Sequence, residues 1–336
     1  MLELTVTSDI YKCSMTIERR ITIIKGDSGT GKTTFVDMLD NTIYSAKVES
    51  SLPILIATNT TWRLLFYSTN SILIFDDLEV VESGEFAKLM KENCVKNNLY
   101  FIIISRESLG EMRKLSYSMD SVFEMCTDKD GITHYLVPYY KTNEEKIQYS
   151  DITKCLVEDN GKAKKFFEYA LSVPVVSADG KANVVKKLED IHNGEMVLLF
   201  IDRSAFGCHA DELRYMVIMK KIQCQIPIGY ECFEEMLLRT NMLNKKSLVI
   251  TELSDLFQYA NQFISWEKFF EDLLARATEG TKYAYKHSSG KLSSCYIDNC
   301  DDCNSYIKKK CDVAMDGDKL KVLFEETKYE WILDIK

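Results

Sequence analysis

Residues 26–33 read Gly-Asp-Ser-Gly-Thr-Gly-Lys-Thr, and no other stretch limits the fold of this chain so tightly. Gly26, Gly29 and Gly31 allow a backbone wrap that side chains would oppose, so that successive N–H groups converge on one anion. The apolar Ile21-Thr22-Ile23-Ile24 before the loop predicts a strand, and Thr34 to Leu39 after it predicts a helix. A helix starting there adds its positive N-terminal end to the attraction for phosphate. Gly26, Ser28, Gly29, Thr30, Gly31, Lys32, Thr33 and Thr34 therefore form the expected phosphate cradle of a nucleotide site. In it Lys32 reaches the outer phosphates of a nucleoside triphosphate and the Thr33 hydroxyl ligates Mg²⁺.

This GxxxxGK[ST] pattern between strand and helix resembles the P-loop NTPases. Ser71-Ile72-Leu73-Ile74-Phe75-Asp76-Asp77 is a second such feature: an apolar run ending in acids predicts a buried parallel strand with a carboxylate at its C-terminal edge. Asp76 is then the Walker B residue that holds Mg²⁺, and Asp77 or Glu79 orients the attacking water. Leu99 to Ile104 predicts a third buried strand, ending in Ser105 and Arg106. In many P-loop ATPases such a strand carries a polar sensor of the terminal phosphate; Ser105 is the first candidate, Arg106 the second, with a strand-end cap as the other reading of Ser105. Pro53 to Thr58 predicts one more strand. The expected fold of residues 1–150 is an α/β P-loop NTPase domain, a parallel sheet flanked by helices. Leu2 to Val6 and Met15 to Ile17 are similar to the β-rich lead-in of ABC ATPases, but no LSGGQ-like signature lies between Lys32 and Asp76, and compact AAA+ or RecA-like enzymes fit equally well.

A polar, charged stretch from Lys141 to Lys165 is the expected boundary, with residues 151–336 as a second, smaller α/β domain. There Val173 to Ser177, Met196 to Asp202 and Cys224 to Ile228 predict short strands, and Val184 to Asp190 a helix. Trp266 to Leu274 has the spacing of a core-facing helix. The order of strands and strand-end acids resembles the Toprim domain of topoisomerases, primases and OLD-family nucleases. That resemblance implies a Glu after the first strand and an Asp-x-Asp after a later one, paired to hold Mg²⁺ for phosphodiester chemistry. Here Ser177 to Gly180 stand at the expected Glu, with Asp179 the only acid, and Ser204 stands at the second Asp. Asp179 and Asp202, with Glu231 or Glu234, are the expected metal ligands and Asp202 the expected catalytic acid; a degenerate scaffold is the alternative. His209 and Asp211 read as an exposed loop or as acid/base or ligand groups.

Cys295, Cys300, Cys303 and Cys311 include a CxxC pair and offer either a tetrahedral Zn²⁺ site or ordinary thiols. Eleven cysteines is an odd number, and most lie in apolar segments, as reduced core thiols do. No apolar run reaches membrane-span length and the N-terminus lacks a signal-peptide layout, so a cytoplasmic protein is expected. At a net charge of −9 the chain is not a general nucleic-acid coat. The lysines at 162, 164 and 165, at 186 and 187, and at 308–310 are local basic patches or solvated helix faces.

An ATPase followed by a Toprim-like domain is similar to OLD-family and related phage-defence or mobile-element proteins. It implies an ATP-hydrolysing switch acting on nucleic acid or on a partner protein, as a homo-oligomer in which a neighbour supplies an arginine. The alternative is a non-catalytic ATP-dependent sensor or assembly protein. A P-loop kinase ranks last, because only Arg106 and Arg113 stand near a plausible lid.

Overall fold

The computed structural model describes residues 1–40, 45–77, 79–140, 151–191, 194–219, 223–227, 230–240 and 260–279, with Tyr285, Tyr329 and Ile335. The chain forms two compact units: Met1–Lys141 with Ser204–Asp211 and Glu252–Trp266, and Thr142–Arg203 with Glu212–Thr251 and Glu267–Lys336.

In the first unit β1 (Leu2–Thr7) and β2 (Lys12–Ile17) precede β3 (Ile21–Lys25), which runs into the glycine loop and α1 (Lys32–Asp40). Then come β4 (Lys47–Ser50), β5 (Ile54–Ile56), the short α2 (Trp62–Leu65), β6 (Ser71–Asp76), α3 (Gly84–Asn93), β7 (Leu99–Ile104), β8 (Val122–Thr127) and β9 (Thr133–Pro138). All nine strands share one sheet, in the order β4-β1-β2-β9-β8-β3-β7-β6-β5. From β8 to β5 every neighbouring pair is parallel, while β8 with β9, β1 with β2 and β1 with β4 are antiparallel. The fold is mixed α/β.

The parallel strands read as continuous apolar runs because both of their faces are covered. Alternate residues divide cleanly. Ile21, Ile23, Leu73, Phe75, Phe101 and Ile103 pack with Trp62, Phe66 and Phe86 from the α2–α3 side. Ile24, Ile72, Ile74, Ile102 and Ile104 pack with Phe35, Val36 and Met38 of α1 on the opposite face. Phe75 and Phe86 meet edge to face, 4.9 Å between ring centres, an arrangement that adds about 1 kcal/mol to the area it buries. Ser83 caps α3 by accepting the Phe86 N–H.

The second unit has a four-stranded, fully parallel sheet ordered β11-β10-β12-β13, from β10 (Ile152–Val157), β11 (Val175–Ser177), β12 (Met196–Phe200) and β13 (Gln223–Gln225). Its helices are α4 (Lys162–Ala170) and α5 (Val184–Glu189), then α6 (Ala210–Met219), which straddles the division between units, α7 (Phe233–Arg239) and α8 (Trp266–Thr278). Phe167 stacks on Phe200 with ring centres 3.8 Å apart, and Phe233 closes on Phe166. The stretch expected as a boundary holds β10 and the opening of α4. Its lysines and acids mask a short buried strand of Ile152, Cys155, Leu156 and Val157.

The seven described cysteines, at 13, 94, 126, 155, 208, 224 and 232, are free thiols. Among the described residues no helix is long and apolar enough to cross a membrane.

Candidate functional site

Strand register builds the first site. In the central ladder Ile24 of β3 pairs with Ile104 of β7, and Ile104 pairs with Asp76 of β6. The ends of three parallel strands therefore stand level, and Asp76 lies two strand spacings, about 10 Å, from the strand that feeds the glycine loop. Asp76 is half-buried, and burial followed by the neighbouring Asp77 charge raises its carboxyl above the usual range.

The loop itself has the backbone its glycines permit. Gly26, Gly29 and Gly31 have φ of +148°, +86° and +88°, a region that costs other residues roughly 1–2 kcal/mol. Lys32, 4% exposed, folds its Nζ over the loop and donates to the carbonyl oxygens of Gly26 and Asp27 (2.8 Å for Asp27) and to Thr30 Oγ1 at 3.1 Å. Its ammonium is shifted down by burial and by Arg106. Ser28, Gly29 and Thr33 are exposed, and Thr34, in the first turn of α1, is half-buried.

Arg106, just past β7, connects the expected groups. Its Nε lies 3.0 Å from Asp77 Oδ2, its N–H donates to Asp77 Oδ1 at 3.0 Å, and its Nη2 donates to Thr33 Oγ1 at 3.3 Å. Asp77 has a φ of +45°. Thus Thr33, Asp77 and Arg106 come together beside Asp76, while Glu79 lies in an exposed turn. Ser105 is buried and its Oγ accepts the Glu107 N–H, which is the cap geometry.

Two aromatic residues that sequence reasoning passed over sit behind the loop. Tyr11 stacks on His134 at 4.2 Å and 17°, and His134 Nδ1 lies 3.1 Å from the Thr30 carbonyl oxygen and 3.2 Å from Thr127 Oγ1. The β-rich segments that carry them gave no local motif to find.

The second site is a cavity of about 170 Å³ lined by Glu158, Asp159, Asp202, Glu234, Glu267 and Glu271, with Phe200, Tyr230 and Phe233 among its apolar walls. Glu158 follows β10 and Asp202 follows β12, adjacent parallel strands paired Val157 to Phe200. Glu158 Oε2 accepts the Asp202 N–H at 3.2 Å, and Asp202 Oδ1 accepts the Phe233 N–H at the start of α7, also at 3.2 Å. Glu234 accepts from the Tyr285 hydroxyl. Burial, then the charges of Glu158, Glu234 and Glu267, raise the Asp202 carboxyl well above its ordinary range. Glu158 rises for the same first reason, opposed by Lys181.

Here the structure departs from the expected ligand set. Asp179 follows the edge strand β11, bonds its own Ser177 hydroxyl at 3.2 Å, and does not line the cavity. The acid beside Asp202 is Glu158, which follows the strand hidden in the charged stretch; an acid directly after Cys155-Leu156-Val157 was the available signal. Glu234 lines the cavity and Glu231 does not. All of these donors are carboxylate oxygens, the chemistry that suits Mg²⁺. Among the described residues no three His, Cys, Asp or Glu side chains stand grouped as a metal-binding set. The four cysteines expected as a Zn²⁺ site, at 295, 300, 303 and 311, lie outside the described residues.

His209 and Asp211 do not form an exposed loop. His209 is buried against Phe206, and Asp211 accepts from Lys25 Nζ (3.0 Å), the Leu109 N–H (2.8 Å) and the Tyr139 hydroxyl (2.5 Å). Comparison with protein-family models, with curated proteins and with solved structures found no match for the chain.

Proposed function

We propose that this chain is an ATP-binding and ATP-hydrolysing switch whose second unit acts on nucleic acid through its acidic cavity. One observation carries the first half: the register Ile24–Ile104–Asp76 sets the glycine loop and an acid pair at one sheet edge, with β7 interposed. That arrangement supports the resemblance to P-loop ATPases, of the ABC, AAA+ and RecA-like kinds alike. Lys32 and the loop N–H groups hold the phosphates. The Thr33 hydroxyl and Asp76 are hard oxygen donors that suit Mg²⁺, which would neutralise phosphate charge there. Asp77, oriented by Arg106, directs water.

The second half rests on Glu158 and Asp202 following adjacent strands, the pairing that the Toprim resemblance implies. Glu158 supplies the acid that the strand after Val173 lacks, and this favours phosphodiester chemistry over a bare scaffold. Ser204 still stands where a second Asp is implied. That departure, with the absence of a grouped metal set among the described residues, supports a second reading, an ATP-dependent assembly protein that binds a protein partner.

The test is calorimetric titration with Mg-ATP and Mg-GTP, phosphate release, and cleavage of DNA and RNA with Mg²⁺ or Mn²⁺. Lys32→Ala is expected to abolish nucleotide binding, and Asp202→Ala to abolish cleavage while leaving ATP binding intact. Nucleotide binding without any cleavage selects the assembly reading. No nucleotide binding by the unaltered protein sinks both.

A further inference from the structure

The stacked pair behind the glycine loop has no part in that reading, yet it determines which way one peptide group points. His134 lies on β9, held from one side by β2 (Cys13 opposite) and from the other by β8 (Thr127 opposite). It is 7% exposed and Tyr11 1%, so neither is a surface side chain. The Tyr11 ring covers the imidazole face, and its hydroxyl reaches Met125 Sδ at 3.7 Å. A buried ring stacked in this way keeps one orientation, which sets Nδ1 3.1 Å from the Thr30 carbonyl oxygen. A carbonyl oxygen only accepts, so Nδ1 carries the proton. The Thr127 hydroxyl, 3.2 Å from Nδ1 and 3.5 Å from the same carbonyl, closes the cluster.

We infer that His134, braced by Tyr11, is a positioning residue of the phosphate loop: it pins the Thr30 carbonyl and thereby aims the Gly31 N–H at the bound phosphate. In a trans peptide the C=O and the next N–H point in opposite directions, and the described chain has no cis peptide. Holding the Thr30 oxygen down on the sheet side turns the Gly31 N–H toward the open side of the loop, where Ser28, Gly29 and Thr33 are exposed. Gly31 is what lets the imidazole come so close. A Cβ built there would lie 2.6 Å from His134 Cε1 and 2.7 Å from Nδ1, and its φ of +88° already disfavours a side chain. The third glycine of the motif and the histidine 103 residues later in the chain are thus two halves of one contact. The inference rests on residues 26–33 being a phosphate site.

The test is titration of the full chain with Mg-ATP and with inorganic triphosphate, alongside the melting temperature of each variant. His134→Phe keeps a ring on Tyr11 and removes the donor. His134→Asn keeps a donor at similar reach and removes the ring. The expected result is about tenfold weaker binding of both ligands by His134→Phe at an unchanged melting temperature, with His134→Asn recovering most of the affinity. Binding by His134→Phe equal to that of the unaltered protein overturns the inference. So does loss of affinity in both variants in step with melting temperature, which marks a purely structural residue. Should His134→Phe fail to fold, His134→Asn decides: retained affinity supports the inference, and lost affinity at an intact melting temperature overturns it. If the unaltered protein binds neither ligand and matches Lys32→Ala, the phosphate-site reading itself falls, and this inference with it.

Discussion

Glu158 Oε2 accepts the backbone N–H of Asp202 at 3.2 Å, tying the ends of two adjacent parallel strands at the mouth of an acidic cavity. Two carboxyls that are both pushed up in a shared cavity hold protons that the unfolded chain releases. Burial moves Glu158 from 4.5 to about 7. Across that interval the folded state binds the extra proton, so the contribution of Glu158 to stability falls as pH rises through it.

Glu158→Gln keeps the acceptor for the Asp202 N–H and removes the titration. It is expected to be more stable than the unaltered protein at pH 8, by about 1–3 kcal/mol, and no more stable at pH 4. Urea unfolding at the two pH values measures the difference. A gap between the two proteins that does not change with pH would count against the cavity's electrostatics.

Lys25 and Asp211 meet at 3.0 Å within the first unit, with side chains 10% and 20% exposed. Asp211→Ala leaves the Lys25 ammonium buried and also removes the acceptor of the Leu109 N–H and the Tyr139 hydroxyl. The expected loss is about 2–4 kcal/mol, with the Lys25→Met and Asp211→Leu pair costing less than the single change. Thermal melts of Asp211→Ala, Lys25→Met, Asp211→Leu and the double variant check it; additive losses of the two single changes in the double would show that the two charges do not act as a pair.

Asp77 sits at a φ of +45°, where only glycine is free of strain. Both Asp77→Gly and Asp77→Ala lose the Arg106 contacts, so the comparison between them isolates the backbone. Asp77→Gly is expected to be the more stable, by about 1 kcal/mol. The reverse order in chemical denaturation would place the strain elsewhere.

Asp76→Asn removes the negative charge, and Thr33→Ala the hydroxyl oxygen, of the two groups suited to Mg²⁺. Both are expected to lower Mg²⁺-dependent phosphate release by at least about tenfold while ATP binding in EDTA changes little. An equal loss of binding with and without Mg²⁺ would remove these residues from the metal's environment.

Much of the first unit was legible in local order. Ser71 to Asp76 and Leu99 to Ile104 form the strands that their unbroken apolar runs predict, because strands buried on both faces leave no polar alternation to confuse the pattern. The glycine loop between β3 and α1 was legible for a similar reason: its conformation lies in contiguous backbone, so eight residues suffice to state it. The second unit was harder to read. The strand Ile152–Val157 is short, carries Thr153 and Lys154 directly after its first residue, and sits among charges, so local order does not announce Glu158 and offers Asp179 after β11 instead.

The amino-acid order alone therefore determined the loop, the strand before it, the helix after it and the strand that ends in Asp76, all features that depend on neighbours along the chain. Only the tertiary structure decided that Asp76 stands level with Ile24 across β7, that Glu158 faces Asp202, and that Tyr11 and His134 meet beneath Gly31. The physical reason is that sheet register and side-chain stacking bring together residues far apart in sequence, through hydrogen bonds and contacts that no single segment encodes by itself.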